Sequence, residues 1–209
     1  MNMIKIAAVV LATVLLSACA SHTMAYHPDY VPDRAGVSGG RISGRVLVYT
    51  TRSDDARVDT SGADTGGIVL TTPIGAMTRE IALKAFSQIA TDGAVASNDL
   101  TDAGRYSVIV RPESLAYKHG LDVSGLGFAF ATDVQCQMRI SILDPSGRTL
   151  FERVYDSGVV SGKTQVGIAT GVFDKTNKLA HETIYDLMRR AADDVLVIGL
   201  APQRQVAAH

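Results

Sequence analysis

The run from Asp133 to Ile142 constrains the fold more than any other part of this chain. Val134, Cys136, Met138, Ile140 and Ile142 alternate there with Asp133, Gln135, Gln137, Arg139 and Ser141. Successive side chains on a strand point to opposite faces, so this pattern predicts a strand with one buried face and one wet face. Asp144-Pro145-Ser146-Gly147 follows as turn chemistry, and Thr149 to Asp156 is the expected returning strand. A hairpin with one apolar face needs a cover, and the sequence offers two helices for it. Ile74, Met77, Ile81, Ala85 and Ile89 recur at helical spacing, with Ala82 and Phe86 widening the stripe. This predicts a helix over about 73–91, with Thr72 as N-cap and Pro73 at the first helical position. Leu179, Thr183, Leu187, Ala191 and Val195, flanked by Ile184 and Met188, predict a second helix over 174–196.

Shorter runs complete the outline. Arg45 to Thr50, Ile68 to Leu70 and Tyr106 to Val110 read as strands, with Pro112 marking an end, a bulge or an edge. Residues 52–67 read as a polar loop containing Asp54, Asp55, Asp59 and Asp64. The expected fold class is α+β: an antiparallel sheet with two helices packed on one face, preceded by a signal peptide and a flexible linker.

The N-terminus reads as an address. Lys5 is the only charge in the first 18 residues, and Ile6 to Leu16 is an almost unbroken apolar run of 11 residues in which Thr13 is the one polar member. That length suits a secretory signal and falls short of the ~20 residues of a spanning helix. The run closes on Leu16-Ser17-Ala18-Cys19, which resembles the bacterial lipobox. The resemblance implies cleavage between Ala18 and Cys19 and a diacylglyceryl thioether on Cys19, with palmitate-type acyl chains as the membrane anchor. Ala20 stands where an inner-membrane lipoprotein commonly carries Asp, which by the same resemblance favours the outer membrane, periplasmic face.

The expected organisation is therefore signal peptide over 1–18, lipidated N-terminus and linker over 19–44, periplasmic domain over 45–198 and a tail over 199–209. In the linker, Pro28, Pro32 and glycines interrupt any periodicity. The mature chain would carry 19 basic and 21 acidic residues, without the basic excess of a nucleic-acid binder.

No residue pattern names a reaction. Cys136 lies on the buried side of its strand and reads as a small core side chain. With Cys19 lipidated it has no partner for an internal disulfide. Ser161-Gly162-Lys163-Thr164 ends like a phosphate-binding loop, but the required first glycine position is Ser157, and no nucleotide is expected. Gly125-Leu126-Gly127 lacks the third glycine of a dinucleotide fingerprint. The acids from Asp54 to Asp64 lack EF-hand spacing, and His22 and His27 do not make a metal set. His119 and His181 stand without a partner motif in sequence. Catalytic residues, cofactor and metal are all expected to be none. The apolar segments Val159-Val160, Val166 to Val172 and Phe128 to Phe130 read either as a groove or partner surface, or as strand ends packed on the core.

Lipobox, linker, helix, antiparallel strands and closing helix resemble the YajG-like outer-membrane lipoproteins. The resemblance spans residues 45–196 as pattern and order, and it implies no catalytic residues. The expectation is a lipid-anchored binding or scaffolding lipoprotein, an accessory of an envelope assembly or transport machine with a protein partner. A lipoprotein that binds a hydrophobic ligand in envelope lipid trafficking is the alternative, and an envelope hydrolase a third.

Overall fold

The computed structural model describes residues 21–33, 41–61, 69–124, 129–166 and 170–198. Cys19, the signal segment, Asp64, Gly125-Leu126-Gly127, Phe128 and the tail lie outside the described residues.

In chain order the strands and helices are β1 Ser21–Thr23, β2 Val46–Tyr49, α1 Arg52–Asp55, β3 Asp59–Ser61, β4 Val69–Thr72, α2 Ile74–Ser87 and β5 Ala94–Ser97. They continue with β6 Val108–Ser124, β7 Ala129–Leu143, β8 Thr149–Ser161, β9 Gln165–Val166 and α3 Thr170–Ile198. The main sheet runs β5-β2-β6-β7-β8, with β9 pairing β7, and a small sheet runs β1-β4-β3.

The α+β class with two helices over one face of the main sheet stands. The sheet itself is mixed rather than antiparallel throughout. β6, β7 and β8 form the antiparallel meander, whereas β2 pairs in parallel with both β5 and β6. Parallel partners cannot be joined by a tight turn, so these pairings need a long connection, here the segment carrying α2. The alternating run lies in β7, and Val134, Cys136, Met138 and Ile140 are all 0% exposed. They join Val46, Val48, Val108 and Val110 beneath the inner stripes of α2 and α3 in one core. Each such side chain removed from water contributes on the order of 1.5–3 kcal/mol. On the sheet's other face the described residues form a small cluster, with Leu47, Ile109 and Ala103 buried.

Several local expectations are corrected. β6 does not stop at Pro112; it continues to Ser124, and Pro112 pairs opposite Ile140. β2 pairs β6 only as far as Val110, so the missing proline N–H costs no bond to β2. Beyond that point the Ser114 and Leu115 carbonyls accept from the Arg57 guanidinium, and the β6–β7 register shifts between Ser114 and Ala116. The polar loop at 52–67 contains α1 and β3. Thr51 caps α1 with a reciprocal capping box to Asp54. Thr72 does not cap α2: it ends β4, fully buried, and Pro73 takes the capping position without a side-chain bond.

The start of α2 is instead satisfied from the segment that follows α1. The Gly75 N–H donates to the Arg57 carbonyl at 3.1 Å. A Cβ at Gly75 would lie 1.8 Å from the Asp54 carbonyl oxygen, so only glycine allows the two helices this approach. Arg79 closes the same junction through a 2.5 Å ion pair with Asp55. Gly75→Ala is expected to destabilise the domain by about 1–3 kcal/mol, the usual cost of overpacking. Gly104→Ala, whose Cβ meets nothing within 4 Å, serves as the control in thermal or urea unfolding.

Candidate functional site

The segment read as a linker is docked where it is described. β1 pairs in parallel with β4, and the chain then runs along α3. His22 stacks on Phe173 at 4.7 Å, and the Asn177 side chain donates to the Ala25 carbonyl at 2.9 Å. The His27 N–H donates to Nε2 of His181, also at 2.9 Å. Pro28–Tyr30 forms a 3-10 turn that brings the Tyr30 hydroxyl onto Asp174. Asp33 then pairs with Lys84 on α2 at 2.7 Å. Met24 and Val31, at 0% and 3% exposure, bury the segment's apolar contacts. Residues 21–33 thus form a strap across both helices, which an unstructured tether would not. Ile42 continues the docking, bridging to Ala90.

His181 is the polar centre of the strap. Its ring is fully buried, between the edge of Tyr30 and the stacked face of Tyr26. Because Nε2 accepts from His27, the proton sits on Nδ1, which donates to the Asn177 carbonyl at 2.8 Å. Burial pushes the His181 pKa down, and the neighbouring His27 adds to the effect. This histidine therefore holds the strap in its neutral form. His27 and His181 are 154 residues apart, so no local pattern joins them. The nearest sequence signal is Asn177 four residues before His181, which places both on one helix face.

The other candidates separate. Cys136 is buried and its thiol is pushed up by burial to about 12, which leaves no thiolate for chemistry at neutral pH. His119 is buried on β6 beside Tyr117, and burial lowers it to about 4. Asp54 and Asp55 belong to α1 and Asp59 to β3, spread over two elements rather than one loop. Among the described residues no group of three or more His, Cys, Asp or Glu could hold a metal ion. Ser161 ends β8, and Gly162 to Thr164 lead into β9 rather than directly into a helix as a phosphate loop requires. Among the described residues no helix is long and apolar enough to cross a membrane.

The sheet's outer face carries a charge ladder. Arg139 bonds Glu113 at 3.0 Å and lies 3.8 Å from Glu152, which accepts from Ser141. Exposed pairs of this kind contribute about 0–1 kcal/mol, so the ladder sets cross-strand order more than stability. β8 ends the strand order of the sheet and exposes Val154 (46%) and Val159 (65%). Gly158, at φ 60°, bulges this edge where the β7–β8 register shifts, a device that blunts edge-to-edge pairing. Arg153 and Tyr155 clamp β8 to α3 through Asp194, each at 2.7 Å.

No protein-family model matches the sequence, and no curated protein matches it either. Among solved structures, the chain is similar to a neuraminyllactose-binding hemagglutinin homolog from Helicobacter pylori, with 7% identity and a TM-score of 0.48 over 81% of this chain and 94% of that one. It is also similar to a minor lipoprotein from Acinetobacter baumannii, with 13% identity and a TM-score of 0.37 over 74% and 91% of the two chains. A lipoprotein B from Nitrosomonas europaea gives 13% identity and 0.33 over 79% and 86%.

Both buried histidines are neutral at pH 7 and have folded pKa values below the unfolded 6.5. Their contribution is intact above pH 6.5 and is lost as pH falls toward 4, where His119 protonates in the folded state. The shift at His119 corresponds to about 3 kcal/mol at most. The Tm is expected to fall across this window, and exchange of the His27 amide to accelerate as His181 loses its acceptor. His181→Phe should make that amide exchange fast already at pH 7.5, measured by hydrogen–deuterium exchange.

Proposed function

We propose that this protein is a lipid-anchored, non-enzymatic binding lipoprotein of the bacterial cell envelope, of YajG-like type, held at the periplasmic face of the outer membrane as an accessory of an assembly or transport machine. The observation that carries the reading is the position of the strap relative to Cys19. Ser21, already paired with Val69, follows Cys19 by two residues, a reach of about 7 Å in extended chain. An acyl anchor on Cys19 would therefore hold the N-terminal end of α3 against the bilayer, with the strap transmitting position to both helices.

The binding role draws on the other end of the sheet order. β8 is long, lies at the edge and exposes Val154 and Val159 on a face otherwise laced with charge. A partner strand or loop laid along it would gain backbone hydrogen bonds and cover these valines. The non-enzymatic reading draws on the reactive groups, since Cys136, His119 and His181 are all buried and held in their neutral forms. A lipid-trafficking role would call for an enclosed apolar cavity. The space between sheet and helices is instead filled by side chains such as Phe86, Met138 and Met188, each 0% exposed.

Cys19→Ala is expected to abolish incorporation of labelled palmitate and to release the chain from membranes; continued acylation would overturn the anchor. Photo-crosslinking residues at Val154 and Val159 are expected to capture one envelope protein in intact cells. The same probe at Arg105, exposed away from β8, is expected to capture none. Equal capture from all three positions would overturn the edge as the binding surface.

A further inference from the structure

A groove of about 700 Å³ lies on the flank of α3 away from the strap, with Thr132, Lys163, Lys175, Lys178, Leu179 and Glu182 in its lining. The three lysines and Glu182 are its charged members. They come from two separate segments, the β8–β9 connection and the first turns of α3. The described lining brings three lysines together around a single carboxylate. Lys178 lies 3.9 Å from Glu182, so that carboxylate is shared with the helix's own i,i+4 pair.

The position of Lys163 is built rather than incidental. The Gly162 N–H donates to the Thr132 carbonyl at 2.7 Å, tying the connection to β7. A Cβ on Gly162 would meet the Thr132 hydroxyl oxygen at 2.6 Å, so glycine is what lets the chain lie this close. The next residue is thereby held over the groove. Gly162-Lys163-Thr164 thus supplies a cation although it is not a nucleotide loop.

The same turns of α3 receive the strap on their other side. His22 meets Phe173 and Ala25 meets Asn177, while Lys175, Lys178 and Leu179 line the groove. Phe173 to Leu179 spans about 9 Å of helix at 1.5 Å per residue. The groove is therefore at the end of the domain from which the chain leads back to Cys19. We propose that it binds the phosphodiester headgroup of an anionic phospholipid in the leaflet that holds the anchor, with Lys163, Lys175 and Lys178 as its cationic ligands. This rests on the anchored reading above for the source of the lipid, and its charge and volume suit such a headgroup. Anchor and headgroup site together would seat the domain in one orientation on the membrane, with the β8 edge left for a protein partner.

The full chain, extracted from membranes in neutral detergent, would be titrated with water-soluble short-chain phosphatidylglycerol, short-chain phosphatidylcholine and inorganic phosphate. Saturable binding of phosphatidylglycerol is expected, with the other two weaker by at least about tenfold, and with affinity falling as salt screens the lysines. Each of Lys163→Gln, Lys175→Gln and Lys178→Gln should weaken it about fivefold, the equivalent of ~1 kcal/mol per cation near a lipid surface. Glu182→Gln, which removes the groove's carboxylate, should tighten it, and this gain keeps the test decisive if a lysine variant folds poorly. Inorganic phosphate binding as tightly as the lipid would assign the site to a free anion and overturn the proposal. So would lysine variants that bind like the parent chain. Because the titration is done in detergent, its outcome does not depend on acylation, and palmitate labelling of Cys19 reads the anchor separately.

Discussion

Burial of one face of β7 beneath α3 is the constraint on which the rest of this protein depends. β7 has a partner on each side, β6 and β8, and four consecutive inward side chains from Val134 to Ile140 are sealed from water. A helix of 29 residues, about 44 Å long, lies along a strand of 15 residues, about 50 Å long. α3 covers β7 from Val134 to Ile142, and α2 fills the remaining breadth over β2 and β6. On the opposite face Glu113, Arg139, Ser141 and Glu152 satisfy one another across the strands.

Once α3 is fixed by its inner face, its outer face becomes a platform. One flank of its first turns receives the strap through Phe173, Asn177 and His181, and the other carries Lys175 and Lys178. The strap is short on apolar burial, with Met24 and Val31 as its main contributions. It relies instead on directional bonds, and those to His181 hold only while the ring is neutral. Chain position and protonation are thus coupled at one buried imidazole.

Much of the fold was legible because it is written in local periodicity. Period two along 133–142 and helical stripes at 74–89 and 179–195 each depend on neighbours within a few turns, and each corresponds to an observed element. The parallel pairings β2–β5 and β2–β6 were not legible, because Val46 meets Ala94 and Val108 only after the intervening chain has folded back. α1 and β3 were hidden for a different reason. Their residues are polar and short, and what holds them is the approach of α1 to Gly75 and of β3 to β4. The strap lacked any apolar period, and proline and glycine made it read as a tether. Its order comes from partners such as His181 and Lys84, which lie far along the chain.

By itself, the sequence determined the α+β class, the central hairpin, the two covering helices and Cys136 as a core residue, since each follows from which side chains must leave water. It also carries the resemblance to a lipobox at Leu16 to Cys19, a matter of residue type and spacing. Only the tertiary structure decided that the strap lies on α3, that His27 and His181 meet, and that Lys163 joins Lys175 and Lys178 around one groove. Those arrangements are contacts between segments distant in the chain. They form when the burial of β7 has already set where each surface points, and no local spacing encodes that.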